Sequence, residues 1–139
     1  MVSPHPRFSF HTMGDAKGSW MNEVKDHRIL VNGYYYWIMR INTQDAAKRG
    51  IKNNDLVRAY NDRGSVILAA QVTERVPPGT VHSYESCAEY DPVGKPGESP
   101  DRGGCVNILT PMRYISKNAC GMAPNSCLIE IEKYKEGMK

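Results

Sequence analysis

The sequence predicts a mainly β domain with at least one short helix and long loops. Two observations predict this fold class. Between Ile41 and Val81, a short helical pattern, a strand, a hairpin turn and a longer apolar strand follow one another with almost no connecting residues. Before them, an Asn32-Gly33 pair, which is a strong hairpin signal, separates two strand-like runs. With 139 residues, the chain is long enough for one hydrophobic core.

The N-terminal part has one clear hairpin and little regular structure before it. Residues 1–28 show weak periodicity, so we expect only a short strand at Arg7–His11 and then a loop through Met13–His27. Strands are predicted at Arg28–Val31 and Tyr34–Ile41, on either side of the Asn-Gly turn. The aromatic run in the second strand is interpreted as a packed strand rather than a stacking platform.

The central part begins with a short helix over Thr43–Arg49. Asn42 or Thr43 can cap it, and Asp45 in its first turn favours the positive end of the helix dipole. Gly50 stands where a residue with positive φ commonly ends a helix. The following elements are a strand, a hairpin turn, a second strand and a turn, at Asp55–Tyr60, Asn61–Gly64, Ser65–Thr73 and Pro77–Gly79.

The C-terminal part is less regular. Glu85–Gly104 is rich in Pro, Gly and Ser, so we expect an irregular, exposed loop. The later predicted elements are a strand, a turn or short helix, a closing strand and a frayed tail, at Val106–Thr110, Pro111–Asn118, Cys127–Glu132 and Lys133–Lys139.

Composition excludes some classes of function. Hydrophobic content of 40% and charged content of 24% are ordinary for a globular protein. The net charge of +3 is diffuse; it permits an anionic ligand but lacks the basic stripe of a nucleic-acid-binding protein. No apolar run approaches the ~18 residues of a membrane helix. We therefore expect neither a nucleic-acid partner nor a membrane span.

The cysteines and histidines give no clear metal motif. Cys87, Cys105, Cys120 and Cys127 contain no Cys-x-x-Cys pair, which disfavours a zinc or iron–sulfur site and favours buried free thiols, with a disulfide still open. His5 and His11 would share one face of a strand, but no third metal ligand is apparent. They could instead be loop or core histidines that bond to the backbone. No nucleophile–base signature is present, so we expect no catalysis by this chain alone.

The compact pattern after Ile41 resembles the C-terminal molybdopterin-dinucleotide-binding domain of the dimethyl sulfoxide reductase family of molybdenum and tungsten oxidoreductases, and within that family most resembles the transhydroxylases. Two positions depart from the family pattern: Thr43 stands in place of Pro, and Asn54 in place of Gly. Asn tolerates positive φ, so the second change is mild. The residues that match are Asn42, Asp45, Ala46, Gly50, Ile51, Asp55, Val57, Arg63 and Gly64.

The resemblance implies a six-stranded double-psi β-barrel and a domain, residues 1–139, that is a fragment of a larger catalytic subunit. It implies that the domain holds molybdopterin guanine dinucleotide, present in the bis form in the parent enzyme, with molybdenum or tungsten held elsewhere. The remaining domains of the subunit would be partners, and an iron–sulfur electron-transfer subunit is a further candidate. A cytoplasmic location is favoured over a periplasmic one.

The cofactor-binding residues follow from the same resemblance, which extends to residues 3–12 and to the segment after Asn107. Short polar side chains and Arg suit a pyrophosphate, and Asn suits the mixed donors and acceptors of a base edge. The candidates are Ser3, His5, Arg7, Ser9, His11, Thr12, Asn42, Asn107, Thr110, Ser116 and Asn125.

Two other functions remain open. Double-psi barrels also serve as protein-interaction modules, so an adaptor-binding domain is the main alternative. A small self-processing decarboxylase is another. Such an enzyme would need a Gly-Ser cleavage site, and the chain has two Gly-Ser pairs, Gly18-Ser19 and Gly64-Ser65.

Overall fold

The computed structural model describes residues 1–8, 19–85, 89–122 and 126–135, and they form a mainly β structure. The mainly β class is therefore confirmed. Among these residues are two short α-helices, one 3₁₀ helix and eight strands. In chain order they are α1 Ser19–Asn22, β1 Arg28–Val31, β2 Tyr34–Ile41, α2 Thr43–Lys48, β3 Leu56–Asn61, β4 Gly64–Val72, β5 Val81–His82, the 3₁₀ helix Val106–Leu109, β6 Tyr114–Ser116, β7 Ala119–Met122 and β8 Glu130–Lys133.

Six of these strands form one open sheet. Its order is β1-β2-β4-β3-β8, and β5 also pairs with β2. The β2–β4 pairing is parallel, and the other pairings in this sheet are antiparallel. A parallel pair needs a crossover connection, and here α2 and β3 lie in that connection. Strands β6 and β7 form a separate two-stranded sheet.

The turns confirm most of the predicted central pattern. Asn32 and Gly33 have φ of 49° and 81°, as a tight hairpin turn with two positive φ angles requires. Asn54, which replaces the family's usual Gly, has φ of 66°. Helix α2 begins as predicted, because the Asn42 Oδ1 accepts a hydrogen bond of 2.9 Å from the Gln44 N–H. Gly50, with φ of 63°, follows the end of that helix.

Apolar side chains cover both faces of the sheet. Alternate residues of β2, β3 and β4 point to the larger cluster, which includes the fully buried Met39, Val57 and Leu68. The 3₁₀ helix adds Val106 and Leu109 to it. The opposite face carries a smaller cluster around Tyr36, Ile67 and Ala69. The sheet is thus buried on two sides, which explains the nearly continuous apolar run in β4.

Several predicted elements were wrong. The predicted strand Val106–Thr110 is a 3₁₀ helix, and the predicted turn or helix Pro111–Asn118 contains strand β6. The predicted Met13–His27 loop contains α1. Arg7 and Phe8 lie in a bend rather than a strand, while residues 9–11 of that prediction lie outside the described residues. The closing strand is Glu130–Lys133, so Lys133 belongs to β8 and not to the tail.

The loop predicted at Glu85–Gly104 is irregular in its described part, residues 89–104, but it is not simply exposed. Asp101 is fully buried and bridges to Val66 of β4. The Tyr34 hydroxyl donates to the Asp91 carboxylate at 3.0 Å, and the Arg102 Nε donates to the same carboxylate at 2.7 Å. These contacts hold the loop against β2 and β4.

Candidate functional site

The N-terminal segment joins two distant parts of the chain. Val2 forms a parallel bridge to His82 and an antiparallel bridge to Ser126. The Val2 N–H donates to the Val81 carbonyl at 2.9 Å, and the Cys127 N–H donates to the Met1 carbonyl at 3.1 Å. Because β5 pairs with β2, this segment is fixed to the main sheet. The fold thus places residues 1 and 2, just before the predicted site residue Ser3, beside residues 126 and 127, just after the predicted site residue Asn125.

A wide cleft of about 1150 Å³ opens beside this segment. Asn61, which lines the cleft, joins the 3₁₀ helix to the segment before β8, because its amide donates to the carbonyls of Leu109 and Leu128 at 2.8 and 3.1 Å. Three lining residues, Val2, Pro111 and Ser126, are sequence neighbours of the predicted site residues Ser3, Thr110 and Asn125. The cleft is lined by Met1, Val2, Tyr60, Asn61, Asp62, Arg63, Gly79, Thr80, Pro111, Arg113, Ser126, Cys127, Leu128, Ile129 and Glu130.

A second, smaller opening of about 290 Å³ is rich in cations, and we call it the basic groove. It gathers residues from the N-terminal segment, the turn before β1, the end of β2, the turn after β4, and β5 with the residues that follow it. Its lining residues are Arg7, Phe8, Lys25, Asp26, Arg40, Arg75, Val76, His82 and Tyr84. A neighbouring opening of about 580 Å³ shares Lys25, Asp26 and Arg75 with it.

Arg40 is the most firmly held cation of the basic groove. One of its guanidinium nitrogens lies 3.2 Å from the His82 Nδ1, and another donates to the Asp26 carbonyl at 3.3 Å. Its Cζ lies 5.3 Å from the centre of the Tyr84 ring. Since a guanidinium can only donate, the His82 Nδ1 accepts, which requires that this imidazole nitrogen carry no proton. Burial, and then the charge of Arg40, lower the pKa of His82, which is consistent with a neutral ring.

The charges of the basic groove are unbalanced. Four cations, Arg7, Lys25, Arg40 and Arg75, line it together with one carboxylate, Asp26. That carboxylate already accepts a hydrogen bond of 2.9 Å from the Gln71 amide. Within the described ranges, none of the four cations forms an ion pair with a carboxylate. The groove can therefore attract an anionic ligand.

The predicted N-terminal site residues lie in different surroundings. Ser3 is buried, whereas His5 is exposed and its Nε2 lies 2.9 Å from a carboxylate oxygen of Glu85. Arg7 is exposed and lines the basic groove. Asn42 is buried, and its amide donates to the Val76 carbonyl at 2.8 Å while its oxygen caps α2. Predicted residues outside the described part of the chain are Ser9, His11 and Thr12.

The predicted C-terminal site residues are more accessible. Asn107 is exposed at the 3₁₀ helix, and its backbone carbonyl accepts hydrogen bonds from the N–H and the hydroxyl of Thr110. Ser116 is exposed in β6, and its hydroxyl accepts from the Asn118 N–H at 3.2 Å. Asn125 lies outside the described residues. The roles of all eleven residues stay predictions.

The sequence reasoning missed most of the basic groove. Of its charged and aromatic lining residues, only Arg7 is among the sequence-predicted candidates; Lys25, Arg40, Arg75, His82 and Tyr84 are not. One signal could have revealed Arg40, because it is the only charged residue in the otherwise apolar and aromatic strand Tyr34–Ile41. A charged residue in such a strand needs a partner or a ligand.

The structure also bears on metal ligands, cysteines and membrane-spanning helices. Among the residues that the structure describes, no group of three or more His, Cys, Asp or Glu side chains could hold a metal ion. Cys105 and Cys127 are both half-buried, and Cys127 has a free thiol. Burial raises the pKa of Cys127. In the described part of the chain, no helix has the length and apolarity to cross a bilayer.

Sequence comparison with known proteins identifies a family. The family model described as "Molydopterin dinucleotide binding domain" matches residues 1–128. The pyrogallol hydroxytransferase large subunit of Pelobacter acidigallici is 74% identical over 134 residues, which cover 96% of this chain and 15% of that protein. The dimethyl sulfoxide/trimethylamine N-oxide reductase of Cereibacter sphaeroides is 40% identical over 135 residues, with the same two coverages. The chain thus spans about 15% of the length of these curated relatives.

Among solved structures, acetylene hydratase from Pelobacter acetylenicus superposes with a TM-score of 0.48 and 11% identity, over 74% of this chain and 14% of that chain. The family match covers most of the chain and confirms the resemblance inferred from its residues. The chain therefore belongs to the molybdopterin-dinucleotide-binding domain family.

Proposed function

We propose that this chain is the cofactor-binding domain of a transhydroxylase-like molybdenum or tungsten oxidoreductase, and that it holds the molybdopterin guanine dinucleotide of the catalytic subunit. The observation that carries the proposal is the double bridge of Val2, which joins the N-terminal segment to both His82 and Ser126. Separated segments that converge in this way can surround one extended ligand. The match to the family supports this function over an adaptor-binding module.

The residues present fit an anionic dinucleotide. Arg7 supplies an exposed cation that lacks an ion-pair partner among the described residues, and Asn107 supplies an exposed amide. Guanidinium groups bind phosphate oxygens through charge-assisted hydrogen bonds, and an amide can satisfy both donors and acceptors of a base edge. When bound, the molybdopterin supplies the metal centre for the redox chemistry. This chain would bind and orient the dinucleotide end, and would not be catalytic alone.

The other domains of the parent subunit are the proposed partners. Four large apolar side chains near β6 and the wide cleft are exposed: Met112, Tyr114, Ile115 and Leu128, with exposed fractions from 62% to 92%. Exposed apolar groups in one region commonly mark a contact surface. An iron–sulfur electron-transfer subunit is a further proposed partner, and a cytoplasmic location belongs to the same proposal.

The finer fold proposal is a six-stranded double-psi β-barrel. Support comes from the parallel β2–β4 pairing, the crossover that contains β3, and the number of strands in the main sheet. An experimental structure of the parent subunit tests it. A main sheet that stays open beyond β1 and β8 would contradict barrel closure.

A guanine-nucleotide titration tests the proposed function. Guanosine diphosphate should move amide signals in residues 3–12 and 107–116 together, with Asn42 as a third point. If the signals of both segments stay fixed while the nucleotide is bound, these segments are not the site.

A variant at Asn107 tests the same site in the parent enzyme. Asn107→Leu should lower cofactor affinity by about 1–3 kcal/mol, because a polar group of the ligand loses its partner. The domain should remain folded, since Asn107 is exposed. Cofactor loading per folded subunit is the measurement, and Lys48→Gln, an exposed change on α2, is the control. Unfolding with unchanged loading would make Asn107 a structural residue.

A further inference from the structure

We propose that the basic groove binds the diphosphate group of a nucleotide ligand, with Arg40 as its central contact. This inference rests on the proposed function, because it names the part of the domain that receives the most highly charged portion of the dinucleotide. It assigns a binding role to Arg40, Lys25, Arg75 and His82.

The first argument is the charge of the groove. Four cations from four separate segments line an opening of about 290 Å³, against one carboxylate that is already hydrogen-bonded to Gln71. Surface cations usually stand beside carboxylates, yet within the described residues these four have no such pair. A ligand with a single charge would leave most of this excess in place. A diphosphate carries several negative charges over adjacent oxygens and matches the groove better.

The second argument is the preorganisation of Arg40. Its guanidinium is held by the Asp26 carbonyl, the His82 imidazole and the Tyr84 ring, and all three are uncharged at the atoms that it meets. These contacts fix its direction without neutralising it. A guanidinium fixed in this way loses little conformational freedom when it binds an anion, which favours affinity.

The third argument is the position of the groove. Arg7 lies in the predicted N-terminal site segment, and His82 forms the bridge with Val2 in the same segment. The adjoining opening of about 580 Å³ shares Lys25 and Arg75, so a ligand larger than a diphosphate has space to continue. A dinucleotide could therefore place its diphosphate in the groove and extend beyond it.

Binding of inorganic pyrophosphate to the 139-residue chain tests the proposal. Circular dichroism first establishes that each variant is folded, and amide chemical shifts then follow the titration. Pyrophosphate should move the signals of Arg40, Arg75 and His82. Arg40→Met should weaken binding about tenfold, as expected for the loss of a charge-assisted hydrogen bond. Because Arg40 also contacts Tyr84, Arg75→Met, a change at an exposed side chain, provides a second variant should the first fail to fold.

Arg113→Met is the matched control, since Arg113 is an exposed arginine that lines the wide cleft instead. It should leave pyrophosphate affinity within about twofold of the wild type. If Arg113→Met weakens binding while Arg40→Met and Arg75→Met do not, the diphosphate binds in the wide cleft and the proposal is wrong. Guanosine monophosphate should bind more weakly than guanosine diphosphate; equal affinities would show that the groove does not recognise a diphosphate.

The imidazole of His82 gives an independent measurement. The charged groups that face it are Arg40 on β2, Arg7 in the N-terminal segment, Lys25 and Asp26 before β1, and Arg75 after β4. Pyrophosphate adds negative charge beside this ring, so saturation should raise the pKa of His82, as read from its imidazole signals. Tight binding with an unmoved His82 pKa would place the ligand elsewhere.

These outcomes separate the two proposals. If guanosine diphosphate moves residues 3–12 and 107–116 but pyrophosphate leaves the basic groove unmoved, the groove assignment fails and the proposed function stands. If pyrophosphate moves the groove but guanine nucleotides never move residues 107–116, the groove assignment stands and the dinucleotide function fails.

Discussion

At the scale of single residues, two carboxylates organise the long loop between β5 and the 3₁₀ helix. Asp101 is fully buried, and its carboxylate accepts hydrogen bonds from the N–H groups of Asp91, Gly103 and Cys105 at 2.7, 2.9 and 2.7 Å. Its own backbone bonds to Ser65 and Ile67 of β4. One side chain thus satisfies three loop N–H groups and fixes the loop to the sheet.

Asp101→Ala should lower the free energy of unfolding by about 3 kcal/mol, because it leaves three partly buried N–H groups without their acceptor, and an unsatisfied buried group costs roughly 1–3 kcal/mol. Urea denaturation of the chain measures this change. Asp62→Ala, at a side chain that is 81% exposed in a hairpin turn, is the control and should change stability by less than about 0.5 kcal/mol. A loss below about 1 kcal/mol for Asp101→Ala would show that water can replace the carboxylate.

Asp91 makes the stability of this loop depend on pH. The hydrogen bond from Arg102, and then that from Tyr34, hold the pKa of Asp91 below its usual value, while burial opposes them. Burial and the Asp91 contact raise the pKa of Tyr34, so its hydroxyl stays protonated and continues to donate. Because the folded-state pKa of Asp91 is the lower one, its contribution is present at neutral pH and is lost as pH falls below the unfolded value of about 4.

The expected result is a steeper loss of thermal stability in the wild type than in Asp91→Asn between about pH 5 and pH 3. Melting temperatures followed by circular dichroism across that range measure it. Parallel losses in the two proteins would mean that Asp91 does not contribute to the acid sensitivity.

At the scale of elements, local signals predicted the structure where they agreed with one another. The Asn32-Gly33 turn gave β1 and β2 with their observed bounds, and the Asn42 cap gave the start of α2. The run Val106–Thr110, in contrast, was predicted as a strand but forms a 3₁₀ helix over Val106–Leu109. Val106 and Leu109 are three residues apart and both are buried, which suits a 3₁₀ turn. Both side chains pack into the core cluster of the sheet, and no local signal in the sequence reports such packing.

The candidate site was harder to predict than the fold. The basic groove joins residues from five separated segments, so neither spacing nor composition could assemble it from one sequence. The small net charge of +3 also concealed it, because the 15 acidic residues of the chain offset most of its 18 Lys and Arg residues. The N-terminal segment, residues 3–12, is a candidate site segment through resemblance alone.

Gly104, at the end of the long loop, shows how closely this element approaches β2. It has φ of 82°, and a Cβ built on it would lie 2.4 Å from the Trp37 ring. Gly104→Ala should therefore lower the free energy of unfolding by about 3 kcal/mol, from backbone strain together with overpacking against a buried side chain.

Gly97→Ala is the matched control for this change. Gly97 has φ of 79°, but a Cβ there would meet nothing within 4 Å, so only the backbone cost of about 1 kcal/mol applies. Chemical denaturation of the two variants gives the difference. Equal losses would show that Trp37 moves aside at little cost.

At the scale of the whole molecule, the chain spans about 15% of the length of its relatives. Its surface has features that could contact a ligand or other domains. The wide cleft and the basic groove are both open, and the apolar side chains near β6 are exposed. A cofactor that lies between this domain and others would lose part of its contacts when the chain is studied alone.

The isolated chain should therefore bind guanosine diphosphate with a dissociation constant in the millimolar range. Loss of about 4 kcal/mol of contacts weakens binding about a thousandfold. Chemical-shift titration measures such weak binding. A nanomolar dissociation constant by calorimetry would instead show that the site is complete within these 139 residues.

Strand β8 covers an edge of β3 that would otherwise be open. β3 lies between β4 and β8, and β8 is Glu130–Lys133. Without β8, the edge of β3 beside Val57 and Ala59 has unpaired N–H and C=O groups, and such an edge can capture a strand of another molecule. A chain truncated just before Glu130 should therefore aggregate more readily than the 139-residue chain, which light scattering of the two proteins would show.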